Sequence, residues 1–226
     1  MRKLFGIVLT SFYVTIPLLI VLTVIRLCLS PAFIRFEYSL PGFPADTFGF
    51  TPQERLEFAN KTRQYLLGNI DDFALQELST AQDVPLFNQR EIDHLRDVKH
   101  LTTVALAFWF ALVLGFFGMY YVARVHSKMN RFLIAIRNGC IVLLGLVIFI
   151  AIAIFLDFNA LFTTFHQIFF TGDSWLFYMD DSLIRLFPLV FWTHLFITIA
   201  AASAAIAIAG IILVNNALKQ RKKELK

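Results

Sequence analysis

Residues 158–179 read FNALFTTFHQIFFTGDSWLFYM, and whether this stretch crosses a bilayer decides the fold. It is as long as the roughly 20 residues that a membrane-crossing helix needs. Yet Asn159, Thr163, Thr164, His166, Gln167, Asp173 and Ser174 interrupt it. Other runs lack such interruption. Leu4–Ile25, Leu101–Ala123, Asn138–Leu156 and the long stretch Leu186–Leu218 hold no Asp, Glu, Lys or Arg. Lipid offers no partner to backbone N–H and C=O groups, so each run is expected to be a helix. The count is then four spans. Residues 158–179 are expected to lie in, or dip into, the outer interface, where Trp, Tyr and Phe suit the headgroup boundary.

Charge supports that count. The N-terminus carries Arg2 and Lys3, the link Arg124–Arg137 adds Lys128 and Arg131, and the tail holds Lys219, Arg221, Lys222, Lys223 and Lys226. Glu224 is the one acid among them, whereas Pro31–Lys99 and Asp157–Arg185 hold the fifteen other carboxylates. Basic loops stay in the cytoplasm, so both termini are expected there and both acidic connections outside. A fifth crossing would place the Lys-rich tail on the wrong side. The net charge of +4 thus marks topology and membrane-lipid contact rather than a nucleic-acid partner. With 58% hydrophobic, 15% aromatic and 16% charged residues and a mean hydropathy of +0.68, the chain exceeds the roughly 45–50% apolar content of soluble domains. That argues against a soluble enzyme and against disorder. The first run is too long for a signal peptide, and no small-residue cleavage site follows Arg26.

The expected fold class is an all-α polytopic membrane protein with four transmembrane helices and a small extracytoplasmic cap containing a short β element. Residues 1–30 form the first span, 31–99 the cap, 100–125 the second span and 126–137 a basic cytoplasmic link. Residues 138–157 form the third span, 158–185 an aromatic outer interfacial loop, 186–217 the fourth span and 218–226 a basic tail. In the cap, Phe33–Tyr38 alternates enough to predict a strand, turned by Pro41-Gly42-Phe43-Pro44. Thr51-Pro52-Gln53-Glu54 is a helix start with N-cap, first-turn proline and capping box. Its inner face is either Leu56, Ala59, Arg63 and Leu66 or Phe58, Thr62, Tyr65 and Leu66, and Gly68 ends it. Asn88 and Glu91 repeat the capping pattern and open a helix that can run unbroken into the second span.

Glu91, His94 and Asp97 stand at i, i+3 and i+6 on that helix, so they project on one side. His94 then lies about two turns above the apolar run, at the outer surface. His166 comes from the other acidic connection at the same expected depth. Imidazole is the side chain best matched to proton transfer near neutral pH, and Asp97 could fix one tautomer of His94. Spacing alone equally fits two interfacial histidines without chemistry. His100 and His126 are expected bystanders, and His194, about two turns into the fourth span, is either functional or bonded to a neighbouring helix. No nucleophile elbow, His-Glu-x-x-His helix, Cys-x-x-Cys pair or phosphate loop is present. Cys28 and Cys140 are expected at opposite membrane faces, as packing residues. No metal and no cofactor are expected.

An ordered set of motifs adds to this. It comprises Arg35-Phe36-Glu37-Tyr38, Phe48-Gly49-Phe50-Thr51 with Glu54-Arg55, Tyr65-Leu66-Leu67-Gly68, and Pro85-Leu86-Phe87-Asn88 with Glu91, His94 and Asp97-Val98-Lys99. Phe165-His166-Gln167-Ile168-Phe169-Phe170 and Asp173-Ser174-Trp175-Leu176-Phe177 follow. Together, across about Ile34–Trp192, the chain resembles the lipoprotein intramolecular transacylase (Lit) family of four-span bacterial membrane proteins. The resemblance implies an acyltransferase acting on diacylglyceryl-modified lipoproteins. It would move the sn-2 acyl chain onto the lipoprotein's own N-terminal α-amine and give the lyso form. It places the two key histidines at His94 and His166. Asp97 or Glu91 would then orient His94, Arg35 would contact oxyanion or headgroup unless it pairs with Glu37 or another loop acid, and Phe169, Phe170, Trp175 and Phe177 would wall the acyl-chain entry. Two other classes remain open: a non-enzymatic envelope accessory protein, and a membrane protein binding haem through His194 with His166 or His94.

Overall fold

The computed structural model describes residues 2–80 and 82–224, with side chains from Thr10 onward. Its helices are α1 (Arg2–Cys28), α2 (Pro31–Ser39), α3 (Pro52–Leu66), α4 (Asp72–Gln76), α5 (Gln89–Val125), α6 (Met129–Phe169), α7 (Ser182–Leu186) and α8 (Leu189–Glu224). Four are long and apolar enough to cross a membrane: α5, α6, α8 and, within α1, Thr10–Cys28. Among the described residues β-pairing is limited to one isolated bridge, Ser79 with Pro85.

The strand expected at Phe33–Tyr38 is a correction, because these residues lie within α2. Ser30 caps its start, its side chain accepting from the Phe33 amide at 3.3 Å, and Pro31 occupies the first turn. Phe33, Ile34 and Glu37 are the buried side chains. That is helical spacing, i, i+1 and i+4, which outweighs the short alternation. The third span also runs further than its apolar run. At Asp157 the backbone leaves helical geometry (φ −162°, ψ 96°), and Asp157 Oδ1 accepts from the Ala160 amide at 3.0 Å. This is an N-cap geometry. The helix restarts there, so residues 158–169 are helical and the irregular part of 158–185 begins at Phe170.

The chain divides into two compact units. One comprises Met1–Arg26, Leu106–Ala153 and Ile197–Lys226. Its core gathers Phe12, Ile16, Phe132, Leu143, Cys140 and Ala207, with Phe12 edge-on to Phe132 at 5.6 Å. Polar side chains pair between helices rather than face hydrocarbon: Trp109 Nε1 donates to Thr23 Oγ1 at 3.0 Å and Asn138 Nδ2 to Tyr13 Oη at 2.9 Å. Where α1 meets α6, Gly139 lies so close that a Cβ there would stand 2.6 Å from both Ile16 Cβ and the Phe12 carbonyl oxygen.

The second unit, Leu27–Ala105 with Ile154–Phe196, is built around Phe58, Tyr65, Leu75, Leu86, Leu183 and Leu186. Thr51 and Glu54 form the expected capping box on α3. The helix buries Phe58, Thr62 and Tyr65 of the second expected face together with Ala59 of the first, and the chain leaves it at Gly68 with φ +73°. A polar clamp joins the segment before α3 to α7. Arg185 donates to both oxygens of Asp46 at 3.0 Å, and the Phe48 and Phe50 amides donate to the same carboxylate. Burial pushes the Asp46 carboxyl up, but the hydrogen bonds from Arg185 and Phe50 outweigh it and hold the group below its ordinary value. Arg55 completes the clamp, its Nε donating to the Arg185 carbonyl at 2.7 Å. On the other flank Arg96 and Tyr65 donate to Asp72 at 2.7 and 2.9 Å, and these bonds hold the Asp72 carboxyl below its usual range.

Candidate active site

The first element of the site is the start of α5. Asn88 and Glu91 cap it reciprocally: the Asn88 amide donates to Glu91 Oε2 at 2.8 Å and the Glu91 amide to Asn88 Oδ1 at 3.1 Å. Glu91 Oε1 accepts from the Leu183 amide at 2.7 Å, which ties α7 to this helix end. His94, one turn on, is therefore rigidly based and only 8% exposed. The second element is the last turn of α6, where His166 is 7% exposed. The two imidazoles are nearly parallel, with ring centroids 6.1 Å apart and planes at 23°.

Aromatic rings enclose this pair. Phe170 and Phe177 stand edge-on to His94 at 4.9 and 5.3 Å. Phe162 and Trp175 lie 4.2 and 4.9 Å from His166. Three of the four aromatics expected to wall the site, Phe170, Trp175 and Phe177, thus touch the histidines. Phe169 instead packs on Phe165 at 4.8 Å and is half-exposed. Phe162 was not anticipated, although its i−4 position from His166 on a helix was the available signal.

The nitrogens differ between the two rings. His166 Nδ1 lies 2.8 Å from the Phe162 carbonyl oxygen. A carbonyl can only accept, so Nδ1 carries hydrogen and the lone pair of the neutral ring is on Nε2. His94 Nδ1 is buried and has no hydrogen-bond partner among the described residues. An unpaired buried N–H is rarer and costlier than an unpaired acceptor, which favours the tautomer with the His94 hydrogen on Nε2.

The other candidates sit elsewhere. Glu91 commits both oxygens to backbone amides, so it fixes the helix that carries His94 rather than bonding the ring. Asp97 is exposed. Arg35 is exposed on α2, and Glu37, the acid considered as its partner, bonds His194 instead: Glu37 Oε2 lies 2.9 Å from His194 Nδ1. Glu37 is 1% exposed. Phe191, one turn before His194, packs on Phe33 of α2 at 6.0 Å, whereas Trp192 faces Phe162 at 5.9 Å. His194 is thus turned toward α2, away from the imidazole pair. His100 and His126 are exposed, and Cys28 and Cys140 are free thiols. Among the described residues no group of three or more His, Cys, Asp or Glu side chains is arranged to hold a metal ion.

Four bilayer-length helices and an aromatic-walled pair of histidines define a multi-pass integral membrane protein with a candidate acid–base centre. Residues 8–192 match the family described as lipoprotein intramolecular transacylase Lit, and the chain belongs to that family. The fold agrees. The in meso structure of the membrane integral lipoprotein intramolecular transacylase Lit from Bacillus cereus superposes with a TM-score of 0.67, covering 99% of this chain and 100% of that one at 14% identity. A variant of the same Bacillus cereus protein with one histidine replaced by arginine superposes at 0.63, with 15% identity and coverage of 99% and 96%. An uncharacterized protein of Aquifex aeolicus (strain VF5) is 31% identical over 195 residues, which is 85% of this chain and 84% of the relative.

Proposed function

We propose that this protein is an O-to-N acyltransferase of the bacterial cell membrane. It moves the sn-2 acyl chain of a diacylglyceryl-cysteine lipoprotein onto that cysteine's own α-amine and releases the lyso form. The observation that carries the proposal is the enclosed, nearly parallel pair His94 and His166, combined with membership of the family. Both termini are cytoplasmic and the site lies at the outer surface, a reading supported by the basic and acidic connections of the sequence.

The chemistry needs no covalent acyl-enzyme. Donor ester and acceptor amine belong to one molecule, so orientation supplies several kcal/mol of the barrier. The amine nitrogen attacks the ester carbonyl, the C–N bond forms, the bond to the sn-2 oxygen breaks, and that oxygen takes a proton. The ammonium must first lose one proton to solvent. His166, with its Nε2 lone pair, is the base that takes the second proton from nitrogen after attack and returns it to the departing oxygen. His94, with hydrogen on Nε2, donates to the oxyanion. Arg35, exposed on α2, contacts a lipid headgroup, and Asp97 lies one turn beyond His94 as an electrostatic neighbour. Phe170, Trp175 and Phe177 keep water from the amine and wall the acyl chain.

Mass spectrometry of a lipoprotein's N-terminus in cells expressing each variant tests this. His166→Gln cannot accept a proton and is expected to lose product by about 10²–10⁴-fold. His94→Gln still offers an N–H and is expected to lose less. Full lyso product in both His94→Ala and His166→Ala removes the mechanism, and the opposite ranking of the two glutamine variants reverses the roles.

A further inference from the structure

Between α6 and α7, residues 171–181 form a strap with two faces. Trp175 and Phe177 turn inward, 4.9 Å from His166 and 5.3 Å from His94. Their neighbours turn outward: Leu176 is 48% exposed, Tyr178 68% and Met179 73%. On α6, which precedes the strap, Leu156 and Ile168 are likewise 74% and 70% exposed. Exposed apolar side chains on and directly after a membrane-length helix are covered by lipid rather than water.

One residue fastens the strap. Asp181 Oδ2 accepts from Arg90 Nη2 and from the Tyr178 amide, both at 2.7 Å. Its Oδ1 accepts from Asn88 Nδ2 at 2.7 Å. The Arg90 guanidinium also lies over the Phe177 and Tyr178 rings, at 5.4 and 4.9 Å. At the far end the chain turns at Gly172, with φ +66°, a conformation that favours glycine. The strap is thus hinged at one end and tied by charge-assisted bonds at the other.

We propose that residues 171–181 are a membrane-facing gate over the histidine pair, hinged at Gly172 and latched by Asp181 and Arg90. Through it a lipid acyl chain enters sideways from the bilayer. The gate's purpose rests on the reading of His94 and His166 as the reacting centre, but its motion does not. When the latch opens, Trp175 and Phe177 leave the imidazoles together, so the site is enclosed only while the strap is down. Arg90 and Asp181 are positioning residues and take no part in the chemistry.

The test uses the full-length chain in phosphatidylcholine and phosphatidylglycerol vesicles containing brominated phosphatidylcholine, which quenches tryptophan on contact. Trp109→Phe with Trp192→Phe leaves Trp175 as the single reporter of the three tryptophans. Because the Arg90–Asp181 pair is partly exposed, Arg90→Gln is expected to raise the open population, and with it Trp175 quenching, roughly two- to fivefold. Asp181→Asn is expected to act in the same direction. The native tryptophan set labelled with 5-fluorotryptophan, read by ¹⁹F NMR with spin-labelled lipid, gives the same comparison if the double substitution does not fold. Equal lipid contact in the native chain and both latch variants overturns the gate. The reaction is scored separately. Latch-dependent quenching with N-acylation indifferent to His94 and His166 keeps the gate and removes the roles given to the two histidines, whereas the converse removes the gate alone.

Discussion

Gly139→Ala adds a single methyl where α1 and α6 meet, and the structure sets its cost. The new Cβ would stand 2.6 Å from Ile16 Cβ, 2.6 Å from the Phe12 carbonyl oxygen and 3.0 Å from Ile16 Cγ2. Carbon atoms in contact are best separated by about 3.5–4.0 Å, so the helices must part by about 1 Å. No rotamer change relieves this, because one obstacle is main chain and another is a Cβ. Overpacking of this kind costs about 1–3 kcal/mol. Parting the helices also loosens Phe12 and Ile16, which are 6% and 4% exposed. Alanine's better helix propensity returns about 1 kcal/mol. The net expectation is a loss of about 1 kcal/mol. Gly145 lies on the same helix with nothing within 4 Å of its built Cβ, so Gly145→Ala keeps the propensity gain and incurs no clash. Thermal unfolding in mild detergent of chains carrying Cys28→Ser, followed by a thiol-reactive dye that then reads exposure of buried Cys140 alone, separates the two. At about 2–4 °C per kcal/mol for a chain of this size, Gly139→Ala should melt about 2–4 °C below the parent and Gly145→Ala at or above it. Coincident melting of the two variants would refute the close approach.

Two further outcomes follow from the polar clamps. The folded Asp46 carboxyl is held below its ordinary value, so its contribution is complete above the unfolded carboxylate pKa of about 4 and is lost as pH falls through the lower folded value. Asp46→Asn strands the mostly buried Arg185 and should cost about 3 kcal/mol near neutral pH. It should also flatten the acid limb of melting curves recorded from pH 7 downward; an unchanged limb would show that Asp46 is not its source. Glu37→Ala should cost about 1–3 kcal/mol through the unpaired His194, while Arg35→Ala, exposed on the same helix, should stay within about 0.5 kcal/mol. Equal melting of these two would argue against the Glu37–His194 bond.

Features set by local chemistry were legible in the sequence. The four apolar runs became the four long helices, and the Thr51–Glu54 and Asn88–Glu91 caps formed as their spacing requires. Phe33–Tyr38 misled because six residues fit a period of 2 about as well as one of 3.6, while the decisive Ser30-Pro31 start lay just before them. His94 and His166 could be singled out as imidazoles of similar expected depth, but their 6.1 Å approach depends on how α6 restarts after Asp157. Contacts between distant residues carried no signal at all. The Asp181 bonds to Asn88 and Arg90 span 93 and 91 residues, and Glu37 meets His194 across 157.

The break at Asp157 has a consequence for how the protein can vary. In one continuous helix, each residue inserted or deleted turns everything downstream by about 100°. A span adjusted to a thicker or thinner bilayer would then swing His166 off its partner. Because Asp157 ends one helix and caps the next, the azimuth of His166 is counted from Ala160 onward rather than from the start of the span. Membrane thickness and the aim of the imidazole become separately adjustable quantities.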